Sequence, residues 1–188
     1  MKKYCFTDET MVKGGRTLHR IKALVDIPRY NVKVGDLGGF IEKEENLSHD
    51  GAAWVLTNAV VFGHACVYDD AAVCGKVYVF GYAKIYGSAG VYGNAKVHGS
   101  AKVHGEAEVS GCAHIGGHAD IYGSAKVYGY AQVCGNASVS GNAKVYGKAS
   151  VSCNAWVHCN AEIYGNASII EFAKIGDNRK ISEGFIGK

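Results

Sequence analysis

A β-branched aliphatic residue returns at every sixth position from Val55 to Ile181, through twenty-two repeats without an insertion or a deletion. An alanine lies two residues before the aliphatic in twenty of these repeats, and Val77 and Arg179 are the two exceptions. A glycine lies two residues after the aliphatic in fifteen of them. A fixed period of this kind is the signature of a repeat architecture, in which each unit stacks on the next.

The order of residues within one repeat predicts a short strand followed by a corner. In residues 143–146 the alanine and the valine share one face, while the lysine and the tyrosine share the other, as alternate residues of a strand do. Glycine and asparagine, which often follow each other after the aliphatic, tolerate positive φ and suit a turn. A helix would place residues six apart on nearly opposite sides and lose the apolar stripe. The chain is therefore predicted to be an all-β solenoid with parallel, in-register strands.

The repeat resembles that of the left-handed parallel β-helix hexapeptide-repeat family, in which three repeats make one triangular coil. The resemblance covers residues 53–183 and includes the spacing of alanine, aliphatic residue and glycine. It implies a single left-handed parallel β-helix of about seven triangular coils over residues 51–188. The left-handed crossover comes from the resemblance alone, since parallel strands normally connect with the opposite hand.

The first fifty residues have a different pattern. Residues 4–7 and 17–25 alternate well enough to form two strands joined across Gly14 and Gly15, which predicts a β-hairpin cap and lead-in over residues 1–50. A cap covers the open sheet edge at the end of a solenoid, and at the other end Phe185 and Ile186 are predicted to form a plug. The alternative is a filament of molecules stacked end to end.

Several segments of the chain extend the resemblance to its whole length. They are the R-I-K-A-L hairpin strand, the G-D-L-G-G-F-I-E segment, N-L-S, and the W-V that enters the repeats. Together they resemble the YdcK-like hexapeptide-repeat proteins of bacteria and prophages, whose members mostly have no assigned function. This resemblance implies a phage-derived protein, and an interfering role in a host system would follow from it.

The charge and the cysteine content limit the partners and the cellular compartment that we expect. The formal net charge is +3, with nine basic and eight acidic residues in 1–50 and eleven and nine after that, so neither part favours nucleic acid or an anionic membrane. The chain has no apolar run that would span a bilayer and no secretory signal, which predicts a cytoplasmic protein. None of the six cysteines in the repeats has another one eighteen residues away, so reduced thiols are expected.

Outward aromatic residues form two columns at eighteen-residue steps and one cluster near the N-terminal end. The columns are Tyr128, Tyr146 and Tyr164, and Tyr68, Tyr86, His104 and Tyr122, and the cluster is Val60, Phe62, Tyr78 and Phe80. The columns either stabilise an exposed sheet surface or offer a flat platform to a partner. The cluster is too apolar for an ordinary surface, so it is either covered by the N-terminal unit or forms a subunit or partner interface.

The known activity of left-handed β-helices, CoA-dependent acyl transfer, is the rival hypothesis. In those families a histidine acts as general base between the subunits of a trimer, and His98, His104 and His114 are the candidates that the resemblance implies, with acetyl-CoA as cofactor. No loop interrupts the coils to complete such a site, and none of these histidines has an evident partner constellation. His98 and His114 are predicted to be close, but as a metal site they would lack two ligands.

The sequence therefore predicts a non-catalytic binding or scaffold protein without metal or cofactor, which presents flat aromatic faces to a protein partner. The candidate contact residues are Tyr128, Tyr146, Tyr164, Phe62 and Phe80, and the cluster that contains Phe62 and Phe80 could also join copies of the chain. The alternative is the CoA-dependent acyltransferase, with its site between subunits of a trimer.

Overall fold

The computed structural model describes residues 2–187 and is an all-β parallel solenoid. Each hexapeptide repeat supplies a two-residue strand, and strands eighteen residues apart stack into three sheets. Val127, for example, pairs with Val109 on one side and Val145 on the other. The stack contains about eight coils, which confirms the predicted fold class and lies close to the predicted seven.

We name the three sheets by their number of strands, and each forms one face of the solenoid. The eleven-strand face contains β1 (Tyr4–Lys13), β2 (Arg16–Ala23), β3 (Leu37–Ile41), Val60–Val61, Tyr78–Val79, Lys96–Val97, His114–Ile115, Gln132–Val133, Ser150–Val151, Ser168–Ile169 and Phe185–Ile186. The eight-strand face contains Trp54–Val55, Ala72–Val73, Gly90–Val91, Glu108–Val109, Lys126–Val127, Lys144–Val145, Glu162–Ile163 and Lys180–Ile181. The seven-strand face contains Cys66–Val67, Lys84–Ile85, Lys102–Val103, Asp120–Ile121, Ser138–Val139, Trp156–Val157 and Lys174–Ile175.

The N-terminal segment continues the eleven-strand face. β1 and β2 form an antiparallel hairpin, β2 pairs antiparallel with β3, and β3 pairs parallel with Val60–Val61. Parallel stacking thus begins in β3, ahead of the first repeat. Two short 3-10 helices, Pro28–Tyr30 and Glu44–Asn46, lie on either side of β3 in the chain. No helix in the described part of the chain is long and apolar enough to cross a bilayer.

The core is a narrow column of alanine and β-branched side chains. Ala125 and Val127 are 0 % exposed, as are nearly all inward residues of the repeats. The corners bring the backbones of successive coils together: at Gly123, where φ is +69°, a Cβ atom would lie 2.9 Å from the amide nitrogen of Gly141. Glycine suits this position because it adopts positive φ without strain and needs no space for a side chain.

The last coil is one residue shorter than the eighteen-residue coils of the repeats. Ile186 pairs with Ile169, seventeen residues earlier, so Ile186 packs against the core while Phe185 points outward and is 82 % exposed. The prediction of a plug is therefore wrong for Phe185. The change in register alters which residue faces inward, because neighbouring residues of a strand point to opposite sides.

Candidate functional site

A groove of about 250 Å³ lies on the eleven-strand face, beside the turn between β1 and β2. We call it the hairpin groove. Phe62, Tyr78 and Phe80 line it, together with Lys13 and Lys96. Phe62 and Phe80 follow inward valines on successive coils, so their rings stack with centroids 5.2 Å apart and an interplanar angle of 8°. The repeat thus places an apolar surface of two parallel rings on the outside of the solenoid.

The hairpin covers only part of the apolar cluster predicted on this face. Leu18 of β2 buries Val60, which is 2 % exposed, and these two residues form a small core with Phe40. Phe62 and Tyr78 pack partly against that core. The groove therefore opens where the hairpin ends, and Phe80 continues the apolar surface beyond it.

The rim of the hairpin groove is positively charged. The Lys13 ammonium donates a hydrogen bond to the Tyr78 hydroxyl at 3.3 Å and lies 4.6 Å from the centroid of its ring. Neither Lys13 nor Lys96 has a carboxylate oxygen within 4.0 Å among residues 2–187, whereas nearby Arg16 is paired with Glu42 at 2.6 Å. The groove thus combines an aromatic floor with two lysines whose charges are not neutralised by an ion pair within this part of the chain.

His98 extends the aromatic stack by one more coil. Its ring lies 5.2 Å from that of Phe80 at an angle of 13°, and it covers Gly116, where a Cβ atom would come within 2.6 Å of the imidazole. Burial, with the charges of His114 and Lys96, lowers the pKa of His98. The imidazole is therefore neutral at pH 7 and continues the apolar surface.

The tyrosine column on the eight-strand face stacks as predicted. The ring centroids of Tyr128 and Tyr146 are 4.9 Å apart, and those of Tyr146 and Tyr164 are 5.2 Å apart. Glu162 lies beside the column, 3.5 Å from Lys144, and its carboxylate accepts a hydrogen bond from the Tyr146 hydroxyl. This tyrosine ladder is half-buried and its nearby charges are largely paired, unlike those of the hairpin groove.

The column on the seven-strand face contains a contact that the sequence prediction missed. Tyr68, Tyr86, His104 and Tyr122 stack with centroids 4.6 to 5.3 Å apart. Within the column, His104 Nε2 lies 3.0 Å from Asp120 Oδ1. The expectation that no histidine has a partner is therefore wrong. Because Asp120 follows His104 by sixteen residues, the contact runs diagonally between coils, and the same diagonal step would have revealed it in the sequence.

The three histidines of the acyltransferase hypothesis do not converge on one site within the chain. His98 and His114 lie on the eleven-strand face, and His104 lies on the seven-strand face. Among the residues that the structure describes, no group of three or more histidine, cysteine or acidic side chains is arranged to hold a metal ion. The His104 and Asp120 pair is the arrangement among the candidates that could move a proton.

Comparison with known proteins gives no family for this chain, so its classification rests on the geometry of the fold. No protein-family model matches the chain, and no curated protein does. The parallel pairing of two-residue strands at eighteen-residue steps carries the assignment instead. The chain is a β-solenoid repeat protein.

Proposed function

We propose that the chain is a non-catalytic binding or scaffold protein that presents the hairpin groove to a protein partner. The observation that supports this is the open stack of Phe62, Phe80 and His98 between Lys13 and Lys96. An apolar floor beside two cations fits a partner segment that carries apolar and acidic side chains. We place this function in the cytoplasm, because seven free cysteines suit a compartment that keeps thiols reduced.

The rigidity of the solenoid supports binding at this place. The groove is built on strands that are paired on both sides, so little conformational entropy would be lost when a partner binds. Rings that are already half-buried and ordered can act as anchors for a partner, as aromatic residues do at the centre of many interfaces. The tyrosine ladder of Tyr128, Tyr146 and Tyr164 is the second contact surface that we propose.

The family resemblance adds a finer proposal. The hexapeptide period and the N-terminal segments resemble those of the YdcK-like left-handed β-helices, and on this resemblance we propose a phage-derived protein that interferes with a host system. The groove also offers a surface for self-association. Since Val60 is covered by the hairpin, Phe62, Tyr78 and Phe80 would form that contact.

The proposal is tested by using the protein as immobilised bait, with one variant in the groove and one beside it. Phe80→Ser removes a half-buried ring that lines the groove, while Tyr82→Ser removes a ring that is 62 % exposed but lies outside the groove. We expect wild type and Tyr82→Ser to retain the same protein, and Phe80→Ser to retain at least about tenfold less of it. Equal retention by Phe80→Ser, with melting unchanged, would exclude the groove as the contact surface.

The alternative function is a CoA-dependent acyltransferase, and the contact between His104 and Asp120 is the observation that favours it. A carboxylate can orient an imidazole as general base for a hydroxyl or amine acceptor. The site would need residues from a neighbouring subunit of a trimer, with acetyl-CoA bound between the subunits. Acyl transfer that is lost in His104→Asn and unaffected in Phe80→Ser would support this function.

A further inference from the structure

Two cysteines occupy the glycine position at consecutive corners of the solenoid. Cys153 has φ of 62° and Cys159 has φ of 58°, and both side chains are exposed. The corner imposes this left-handed conformation on other side chains in the glycine position as well, such as Asp69 and Asp177, at some cost in strain. The two thiols have the same backbone geometry, so any difference between them comes from their neighbours.

One difference between the two thiols is an imidazole beside Cys159. Cys159 Sγ lies 3.1 Å from Nδ1 of His158, while the residue before Cys153 is Ser152. A thiol within hydrogen-bond distance of an imidazole is the arrangement that activates cysteine as a nucleophile, since the imidazole can take the thiol proton.

Packing holds His158 in place independently of the thiol. Its ring lies over Gly176, a position at which any side chain would collide with it. On the same face it packs against Trp156, with centroids 4.5 Å apart, and the indole nitrogen of Trp156 donates a hydrogen bond to Ser140 Oγ at 3.1 Å. Lys174 lies over the Trp156 ring at 5.6 Å and adds a positive charge to the surroundings. Trp156 thus orients His158, the base, as a third group orients the base in other activated nucleophiles.

We propose that Cys159 is a reactive thiol that uses His158 as its base and exchanges with low-molecular-weight disulfides. The thiol proton passes from Sγ to Nδ1 of His158, and the sulfur attacks one sulfur of the disulfide. A new S–S bond forms, the original one breaks, and the leaving thiolate takes the electron pair and then the proton from the imidazolium. Cys159 is oxidised to a mixed disulfide, and one thiol is released. This site does not depend on the proposed binding function.

The experiment compares Cys159 with Cys153 inside the same molecule. The full chain carries Cys134→Ser to prevent an internal disulfide between Cys134 and Cys153. Cys134 is the residue before Gly135, and Gly135 stacks directly against Cys153. The reduced protein is incubated with oxidised glutathione from pH 6.5 to 8.5, and the mixed disulfide at each cysteine is followed by peptide mass spectrometry. We expect Cys159 to react at least about tenfold faster than Cys153 at pH 7, with a smaller difference at pH 8.5, where hydroxide competes with His158 as the base.

Two reciprocal variants identify the cause of the difference. In His158→Gln the rate at Cys159 should fall to that of Cys153, while Cys153, which reports on an intact fold, keeps its rate. In Ser152→His combined with Ile170→Gly, which clears the position stacked on the new ring as Gly176 does for His158, the rate at Cys153 should rise. Equal rates at the two cysteines in the wild-type sequence at pH 7, or a rate at Cys159 that survives His158→Gln, would overturn the proposal.

Discussion

Side chains on the outer faces of the solenoid meet at two separations along the chain. Residues eighteen apart stack directly, as Tyr128 and Tyr146 do, and the sequence predicts these contacts because the repeat has no insertion. Residues sixteen apart meet diagonally, as in His104 with Asp120. The sixteen-residue step identifies such diagonal pairs in the sequence as candidates, but whether the two side chains touch depends on how far a long side chain leans along its strand.

The buried ammonium group of Lys3, near the N-terminus, affects how stability depends on pH. Lys3 is 2 % exposed, and its ammonium donates to the carbonyl oxygens of Asp50 and Gly51 at 3.4 and 3.2 Å. Burial lowers the pKa of Lys3 to about 8, although the charges of Asp50 and Asp70 oppose the shift. The folded protein therefore releases this proton at a lower pH than the unfolded chain, whose lysine keeps its ordinary value.

We predict that Lys3 makes stability rise with pH between about 8 and 10.5. In that interval the unfolded chain binds the proton and the folded protein does not, so the free energy of unfolding increases, by about 1 to 3 kcal/mol once solvent screening is included. Urea unfolding of wild type and Lys3→Met across this range measures the difference. A pH dependence identical in the two proteins would contradict the prediction.

At the scale of elements, the repeat strands can be predicted from the sequence, whereas the N-terminal cap can be predicted only in part. Each repeat strand has two residues and cannot be stable alone, so the inward period of Ala125 and Val127 specifies both strand and register. The N-terminal hairpin was predicted, but β1 extends to Lys13, well beyond the predicted residues 4–7. How far the hairpin covers Val60 depends on packing against a strand outside residues 1–50, so no local pattern in that segment contains it.

A pair of adjacent positions tests the narrow core. Ala125 is 0 % exposed, and the next residue, Lys126, is exposed at the start of the strand Lys126–Val127. We predict that Ala125→Leu destabilises the protein by about 1 to 3 kcal/mol or more because the interior cannot expand, while Lys126→Leu changes stability by less than about 0.5 kcal/mol. Chemical denaturation of both variants gives the comparison. Similar stabilities would mean that the column has room for larger side chains.

At the scale of the whole molecule, the hairpin protects one end of a stack of sheets. Leu18 is fully buried against Phe40 and Val60, and Thr17 beside it is exposed. We predict that Leu18→Asp detaches the hairpin and causes concentration-dependent self-association through the uncovered face, while Thr17→Asp stays at the wild-type mass. Light scattering over a range of protein concentrations shows which occurs. A Leu18→Asp protein with unchanged mass and melting temperature would refute this role of the hairpin.

The central claim, a binding scaffold in place of a CoA-dependent enzyme, is tested most directly by calorimetric titration with acetyl-CoA, with the mass measured by light scattering in the same buffer. The scaffold account predicts no saturable heat up to about millimolar ligand. Saturable binding at about micromolar concentration by a trimer would contradict it. Acetyl transfer by that trimer that is lost in His104→Asn would then make the contact between His104 and Asp120 part of an acyl-transfer site.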